Sequence, residues 1–163
     1  MARELQVGEM APPVALKTST GETVRLSDFS GKWIVLYFYP KDDTPGCTKE
    51  ACSFQEHLPA FKRADTVILG VSADDTASHG RFAKKYHLTF PLLSDLDRSV
   101  SAAYGVFKEK SMYGRVFMGI ERTTFLIDPD GRLAAIFPKV KVDGHTEEVI
   151  EAIRNAAATA PKK

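Results

Sequence analysis

The 163-residue chain lacks several features that mark whole classes of protein. Lysine and arginine total 22 and aspartate and glutamate total 21, so the formal net charge of +1 gives no broad attraction to nucleic acid or to an anionic membrane. The longest apolar run, from Trp33 to Tyr39, is far shorter than the roughly 20 residues that span a bilayer. We therefore expect neither a nucleic-acid partner nor a membrane-spanning segment.

The amino terminus also lacks the hydrophobic segment of a secretory signal. Charged residues appear at once, at Arg3 and Glu4, and no apolar run precedes Pro12. This pattern predicts a cytoplasmic protein. With 44% hydrophobic and 26% charged residues, the composition is that of a soluble globular protein, and the length suits one domain over residues 1–163 with a frayed tail at 158–163.

Metal-binding and phosphate-binding motifs are missing as well. The four histidines are scattered, and they have no metal-ligand spacing among themselves or with the two cysteines, whereas a tetrahedral zinc site needs four suitably placed ligands. The chain has no glycine-rich phosphate loop and no basic patch interleaved with aromatic residues. The sequence therefore predicts no metal site and no cofactor.

The apolar patterns that are present predict an α/β fold. Strands and helices alternate and end in a hairpin and a helix, which indicates a central mixed sheet flanked by helices. The expected strands are 33–39, 66–71 and 91–93, with an N-terminal hairpin of 14–16 and 23–26 and a later hairpin of 123–127 and 133–137. The expected helices are 48–63, bent near Pro59, then 78–86, 99–104 and 146–157, and the segment 108–119 is expected to be irregular and mobile.

The chain has only two cysteines, Cys47 and Cys52, which are too few for a disulfide-stapled scaffold. Cys47 follows a buried strand and a Pro-Gly loop and precedes a helix, so unpaired backbone N–H groups and the helix dipole favour its thiolate form. Gly46 permits close approach of the backbone, and the same N–H groups could hold a small oxygen-containing substrate. Cys52 has a plainer alternative, because a cysteine on the apolar face of a helix also suits the core.

The spacing of the two cysteines limits how they can react. In an unbroken helix, five residues separate the two Cα atoms by roughly 8 to 9 Å. A disulfide requires a Cα–Cα distance of about 4.4 to 6.8 Å. A disulfide between Cys47 and Cys52 would therefore require local unwinding if both residues are helical.

The segment from Pro40 to Cys52 reads Pro-Lys-Asp-Asp-Thr-Pro-Gly-Cys-Thr-Lys-Glu-Ala-Cys. It resembles the active-site segment of the peroxiredoxins, in the bacterioferritin-comigratory-protein or PrxQ subfamily. The Pro-x-x-x-Thr-x-x-Cys core and the second cysteine after four further residues carry the resemblance, which continues through the segments 31–33, 90–95, 104–106 and 121–128.

The resemblance implies a thioredoxin-like fold and a thiol peroxidase that reduces hydrogen peroxide and organic hydroperoxides. Cys47 would be the peroxidatic cysteine, oxidised to a sulfenic acid, and Cys52 the resolving cysteine. Their intramolecular disulfide would be reduced by thioredoxin or a similar dithiol. Thr44 would contact the sulfur and the peroxide, Arg122 would stabilise the thiolate and polarise the peroxide, and Pro40 would shield the pocket. The subfamily also implies a monomer.

Two other functions share part of this pattern. A thioredoxin-type disulfide exchanger usually carries Cys-x-x-Cys, whereas four residues separate the cysteines here, and a non-catalytic redox sensor would be oxidised slowly without turnover. Individual residues have alternatives too. Without the resemblance, Arg122 is a surface arginine at the start of a strand, Thr44 is a turn or cap residue, and Glu50 is an acid that complements the helix dipole.

Overall fold

A computed structural model describes residues 4–159, in which strands and helices alternate along the chain. The strands are β1 (Ala15–Lys17), β2 (Thr23–Arg25), β3 (Trp33–Phe38), β4 (Thr66–Ser72), β5 (Leu92–Ser94), β6 (Phe107–Met112), β7 (Arg115–Ile120), β8 (Thr123–Ile127) and β9 (Leu133–Phe137). The helices are α1 (Pro45–Glu56), α2 (Leu58–Arg63), α3 (Thr76–Tyr86), α4 (Ser99–Ala103) and α5 (His145–Thr159), with a 3-10 turn at Leu26–Phe29.

Seven of the strands form one mixed sheet in the order β2-β1-β5-β4-β3-β8-β9. Strands β3, β4 and β5 are parallel. On one side, β8 pairs antiparallel with β3, and β9 pairs antiparallel with β8; on the other side, β1 pairs antiparallel with both β2 and β5. The predicted mixed sheet, its N-terminal hairpin and the later hairpin β8–β9 are all present. These elements lie within two residues of their predicted bounds.

Strand β3 is buried on both faces, as its uninterrupted apolar run predicts. Successive side chains of a strand point to opposite faces, so β3 contributes to two hydrophobic clusters. Val35 and Tyr37 belong to the cluster beneath α1, α2, α3 and α5, which also contains Cys47. Leu36 and Phe38 belong to the cluster on the other face, with residues of α4. The sheet therefore has helices on both sides, and Cys47 lies against its more heavily covered face.

The first long helix differs from its prediction at its start and in its middle. Helix α1 begins at Pro45 rather than near Thr48, because a proline at the first helical position lacks only an N–H that would have no intrahelical partner. The helix ends at Glu56, and α2 follows after His57. Pro59 has no N–H to donate to a preceding carbonyl, so the expected bend is a break between two helices. Both cysteines consequently lie in α1.

The prediction that residues 108–119 form an irregular loop is wrong. Strands β6 and β7 form an antiparallel hairpin separate from the main sheet. Its two-residue turn, Tyr113–Gly114, has positive φ angles of 52° and 76°, as a type I′ turn requires. Most side chains of both strands are exposed, so the hairpin has no alternation between core-facing and solvent-facing residues that the sequence could reveal.

The last helix, α5, continues to Thr159. Residues 160–163 of the tail that was expected to fray lie outside the described residues, whereas 158–159 belong to the final turn of α5. Within residues 4–159, no helix is long and apolar enough to cross a bilayer.

Candidate active site

The pairing of β3 with β8 brings distant parts of the chain to one edge of the sheet. Phe38 at the end of β3 lies opposite Thr123 at the start of the antiparallel β8. The loop that leaves β3 and enters α1 is therefore adjacent to Arg122, the residue that precedes β8. Sheet register alone places this arginine beside the first turn of α1.

Arg122 contacts the cysteine that the motif singles out. One terminal nitrogen, Nη2, lies 3.3 Å from Cys47 Sγ, and the other, Nη1, lies 2.6 Å from Glu50 Oε1. Cys47 is only 2% exposed, and the Arg122 side chain is 17% exposed. A guanidinium in this position supplies a fixed positive charge to a thiolate. The structure thus brings Cys47 and Arg122 together. Arg122 is therefore not the surface arginine that the sequence alone also allowed.

Glu50 is the site residue whose role the sequence interpretation missed. Its side chain is buried, and Oε1 accepts a hydrogen bond from Arg122, which is a different role from the helix-dipole acid that the sequence suggested. Burial raises the pKa of Glu50 to about 7, although the adjacent Arg122 opposes the rise. One signal was available in the sequence, because residues three apart share a helix face and Glu50 follows Cys47 by three.

Arg122 keeps its charge in this buried setting. Burial alone lowers the pKa of the guanidinium, but the charges of Glu50 and Cys47 outweigh it and raise the pKa above its ordinary value.

Tyr37 lies nearby, and burial, together with Glu50, raises the pKa of its hydroxyl well above the usual range. Within the part of the chain that the structure describes, Tyr37 Oη and Glu50 Oε2 are the buried side-chain atoms without a hydrogen-bond partner.

The remaining motif residues surround the first turn of α1. Thr44 is the N-cap residue, and its hydroxyl donates a hydrogen bond to the Lys41 carbonyl at 2.9 Å rather than to the cysteine sulfur. Pro40 is exposed and directly follows buried β3 residues. A Cβ at Gly46 would lie 3.0 Å from Arg122 Nη2. The absence of a side chain at Gly46 therefore lets the Arg122 guanidinium lie close to the backbone of α1.

Cys52 lies on the same helix but apart from the guanidinium. It is half-buried, both cysteines are free thiols, and burial raises the pKa of the Cys52 thiol above its ordinary value. Because both cysteines lie in α1, helix geometry separates their Cα atoms by roughly 8 to 9 Å, beyond the reach of a disulfide. Local unwinding of α1 is therefore necessary before they can bond.

One cluster among residues 4–159 has the proximity needed for a metal ion. Ligand atoms of Asp42, Asp74 and His79 lie within 4.8 Å of one another. However, His79 uses Nδ1 for Asp42 and Nε2 for the carbonyl of Leu93. An imidazole with both nitrogens engaged has no lone pair for a metal, so these residues form a hydrogen-bond network.

Comparisons with known proteins agree with this geometry. The model of the AhpC/TSA family matches residues 7–136. The chain is 51% identical over 146 residues to the putative peroxiredoxin Bcp of Coxiella burnetii, covering 90% of this chain and 97% of that protein. It is 48% identical over 151 residues to peroxiredoxin Bcp of Bacillus subtilis, covering 93% of this chain and 96% of the relative.

Solved structures show the same relationship. A structure of the bacterioferritin comigratory protein of Xanthomonas campestris is similar with a TM-score of 0.86 and 42% identity, covering 93% of this chain and 99% of the other. The Mycobacterium tuberculosis peroxidoxin BcpB is similar with a TM-score of 0.84 and 31% identity, covering 97% of this chain and 100% of the other. The expected thioredoxin-like fold is confirmed. The chain belongs to the AhpC/TSA family and, within it, to the Bcp/PrxQ peroxiredoxins, which are thiol peroxidases.

Proposed function

We propose that Cys47 is the peroxidatic residue of this thiol peroxidase and that Cys52 is its resolving residue. The observation that carries the proposal is the 3.3 Å contact between Arg122 Nη2 and Cys47 Sγ at the start of α1. That contact supplies a charge that stabilises a thiolate, and the first N–H groups of α1 have no partners inside the helix. Such a site suits a small oxygen-containing molecule, and membership of the peroxiredoxins supports a peroxide.

In the first step, the Cys47 thiolate attacks one peroxide oxygen. The S–O bond forms, the O–O bond breaks, and the leaving hydroxide or alkoxide takes a proton to become water or an alcohol. Negative charge moves from sulfur to the leaving oxygen, where Arg122 and the α1 N–H groups stabilise it. The Thr44 hydroxyl, whose proton goes to the Lys41 carbonyl, offers its oxygen as an acceptor for a peroxide O–H. Pro40 and Gly46 border the route by which the peroxide arrives.

In the second step, the thiolate of Cys52 attacks the sulfur of the Cys47 sulfenic acid. The S–S bond forms, the S–O bond breaks, and the released hydroxide takes up a proton from solvent, equivalent to the one that Cys52 lost on becoming a thiolate, and leaves as water. A thioredoxin-type dithiol then reduces the disulfide by two exchange reactions and is itself oxidised. Unwinding of α1 precedes the attack, since the intact helix keeps the sulfurs apart.

The proposed cycle also bears on the oligomeric state and the cellular location of the enzyme. Both reacting cysteines lie on one helix of one chain, which supports a monomer as the working unit. The cycle consumes a thiol reductant, which supports the cytoplasm as its location because thiols are kept reduced there.

Serine substitutions test the two assignments in an assay that couples peroxide consumption to thioredoxin oxidation. Cys47→Ser should abolish turnover, because a serine hydroxyl is not ionised at neutral pH. Cys52→Ser should form one sulfenic acid rapidly, which dimedone labelling followed by mass spectrometry detects, and then stop.

Each result excludes an alternative. Turnover that survives in Cys47→Ser would contradict the peroxidatic assignment, and thioredoxin-linked recycling at the wild-type rate in Cys52→Ser would contradict the resolving assignment. A redox sensor would show slow oxidation without turnover. A disulfide exchanger would reduce disulfides without consuming peroxide.

A further inference from the structure

One acidic residue of the loop between β3 and α1, Asp42, points into the protein interior. Asp42 is 6% exposed, and its backbone N–H donates to Asp74 Oδ2 at 2.8 Å. Its carboxylate accepts hydrogen bonds from the hydroxyls of Tyr39 at 2.5 Å and Ser78 at 2.8 Å. A carboxylate this deeply buried requires such partners, since an unpaired charge is strongly destabilising in the interior.

The third partner of this carboxylate is a fully buried histidine on α3. His79 Nδ1 lies 2.7 Å from Asp42 Oδ2, and His79 Nε2 lies 3.0 Å from the carbonyl of Leu93 in β5. A carbonyl only accepts, so Nε2 carries a proton, and a second proton lies between Nδ1 and Oδ2. The pair has no net charge, and its side-chain atoms are engaged by Tyr39, which follows β3, by Ser78 of α3 and by Leu93 of β5.

Helix α3 holds the next residue of the loop as well. Asp43 has a left-handed backbone with φ of 57°, a conformation that is uncommon outside glycine, although aspartate adopts it more readily than most residues. Its carboxylate accepts hydrogen bonds from Lys85 at 2.8 Å and from the Tyr86 hydroxyl at 2.7 Å. Strained backbone persists only where surrounding contacts determine it, and here those contacts come from one helix. The bend at Asp43 is therefore held by two hydrogen bonds from α3.

This bend sets the position of the candidate active site. Thr44 follows Asp42 by two residues, and α1 begins at the next residue, Pro45. A shift of the loop would move the Thr44 hydroxyl and the first N–H groups of α1. The contact between Arg122 and Cys47 involves neither Asp42 nor His79, and Glu50, further along α1, holds the same guanidinium in place.

We propose that the buried Asp42–His79 pair positions the loop at residues 40–44 for the reaction with peroxide, with His79 acting through Asp42 on groups that contact the substrate. The proposal rests on Cys47 being the peroxidatic residue. It separates two properties of the site: the thiolate is maintained by Arg122, and the peroxide is oriented by a loop that the pair holds.

The test compares two reactions of the Cys47 thiolate in the reduced full-length enzyme. Reaction with hydrogen peroxide requires the loop geometry, whereas alkylation of Cys47 by iodoacetamide, followed at that residue by mass spectrometry, requires the thiolate but no oriented peroxide. In His79→Leu, the second-order rate constant with peroxide should fall about 10-fold or more, and the alkylation rate should change less than about 2-fold. His79→Gln, whose amide can donate to the Asp42 carboxylate, should recover the peroxide rate constant to within about 3-fold of wild type.

Tyr104→Phe is the matched control. Tyr104 is also buried, and its hydroxyl donates to the Pro12 carbonyl at 2.6 Å on the opposite face of the sheet. This variant loses one buried hydrogen bond, as a general destabilising change would, and should keep both rates. If His79→Leu does not fold, the double variant Asp42→Asn/His79→Leu, which also removes the buried charge, carries the same comparison.

Two outcomes would overturn the proposal: a folded His79 variant that reacts with peroxide at the wild-type rate, or a variant in which both reactions slow equally. An inactive wild-type enzyme in the same assay would instead contradict the proposed function.

Discussion

The buried carboxyl group of Glu50 should make the enzyme less stable as the pH rises. Its pKa rises from an ordinary 4.5 to about 7 because burial disfavours the charged form. Each pKa unit corresponds to about 1.4 kcal/mol, so the difference between the folded and unfolded chains amounts to about 3 kcal/mol. Between pH 4.5 and pH 7 the folded protein holds a proton that the unfolded chain has released. The contribution of Glu50 to stability is therefore complete below pH 4.5 and is lost as the pH rises through 7.

Replacement of Glu50 by glutamine isolates this effect. The amide has nearly the shape of the protonated carboxyl and does not titrate, so Glu50→Gln and wild type should have similar free energies of unfolding at pH 4. At pH 8 the variant should be more stable by about 3 kcal/mol. Its peroxide reaction should nevertheless be slower, because a neutral amide holds the Arg122 guanidinium less firmly than a carboxylate.

Urea unfolding of the reduced enzyme at several pH values measures the difference, with the single tryptophan, Trp33, as a fluorescent probe. Titrating groups that do not interact with Glu50, including His145, are common to both proteins and cancel in the comparison. Unfolding free energies that run parallel from pH 4 to pH 8 would refute the reasoning. So would a Glu50→Gln variant that is less stable than wild type at pH 8, since the ion pair with Arg122 would then outweigh the burial of the carboxylate.

The other predictions concern the same helix. Arg122→Lys keeps the charge but loses the planar fork that reaches Cys47 and Glu50 together, so the second-order rate constant with peroxide should fall about 10-fold or more, and unchanged kinetics would exclude a role for the guanidinium. Gly46→Ala should keep or raise the thermal midpoint, since alanine favours helix, yet slow the peroxide reaction by about 3-fold or more because its Cβ would press on Arg122. An equally fast Gly46→Ala enzyme would show that the guanidinium tolerates displacement. Oxidation to the disulfide should reduce amide protection in α1 while β3 and β4 stay protected. Equal protection in both states, with the disulfide confirmed by mass spectrometry, would show that α1 need not unwind.

The unwinding of α1 also has a structural cost that the sequence does not show. The Ser53 hydroxyl lies 2.6 Å from the Thr146 hydroxyl of α5, and Lys49 forms an ion pair with Asp143 in the segment before that helix. Both contacts connect the outer part of α1 to the carboxyl-terminal part of the chain. In the proposed cycle, these contacts would have to break or shift before Cys52 reaches Cys47.

Local patterns in the sequence were sufficient for much of the fold. The run of apolar residues in β3 predicts a strand covered on both faces, and the Asp-Pro-Asp-Gly turn predicts the hairpin β8–β9. The motif at residues 40–52 is contiguous, so it could be recognised without knowledge of the fold. The exposed hairpin β6–β7 was missed, because the periodicity that reveals a strand comes from burying one face.

The sequence by itself determined which cysteine lies at the start of a helix and how far apart the two cysteines are along it. Only the tertiary structure decided what surrounds them. Arg122 reaches Cys47 through the register of β3 with β8, and His79 reaches Asp42 through the packing of α3. Glu50 changes from an ordinary helix acid to a buried partner of Arg122 for the same reason. Helical spacing is set by neighbouring residues, whereas burial and charge pairing depend on which distant segments pack together.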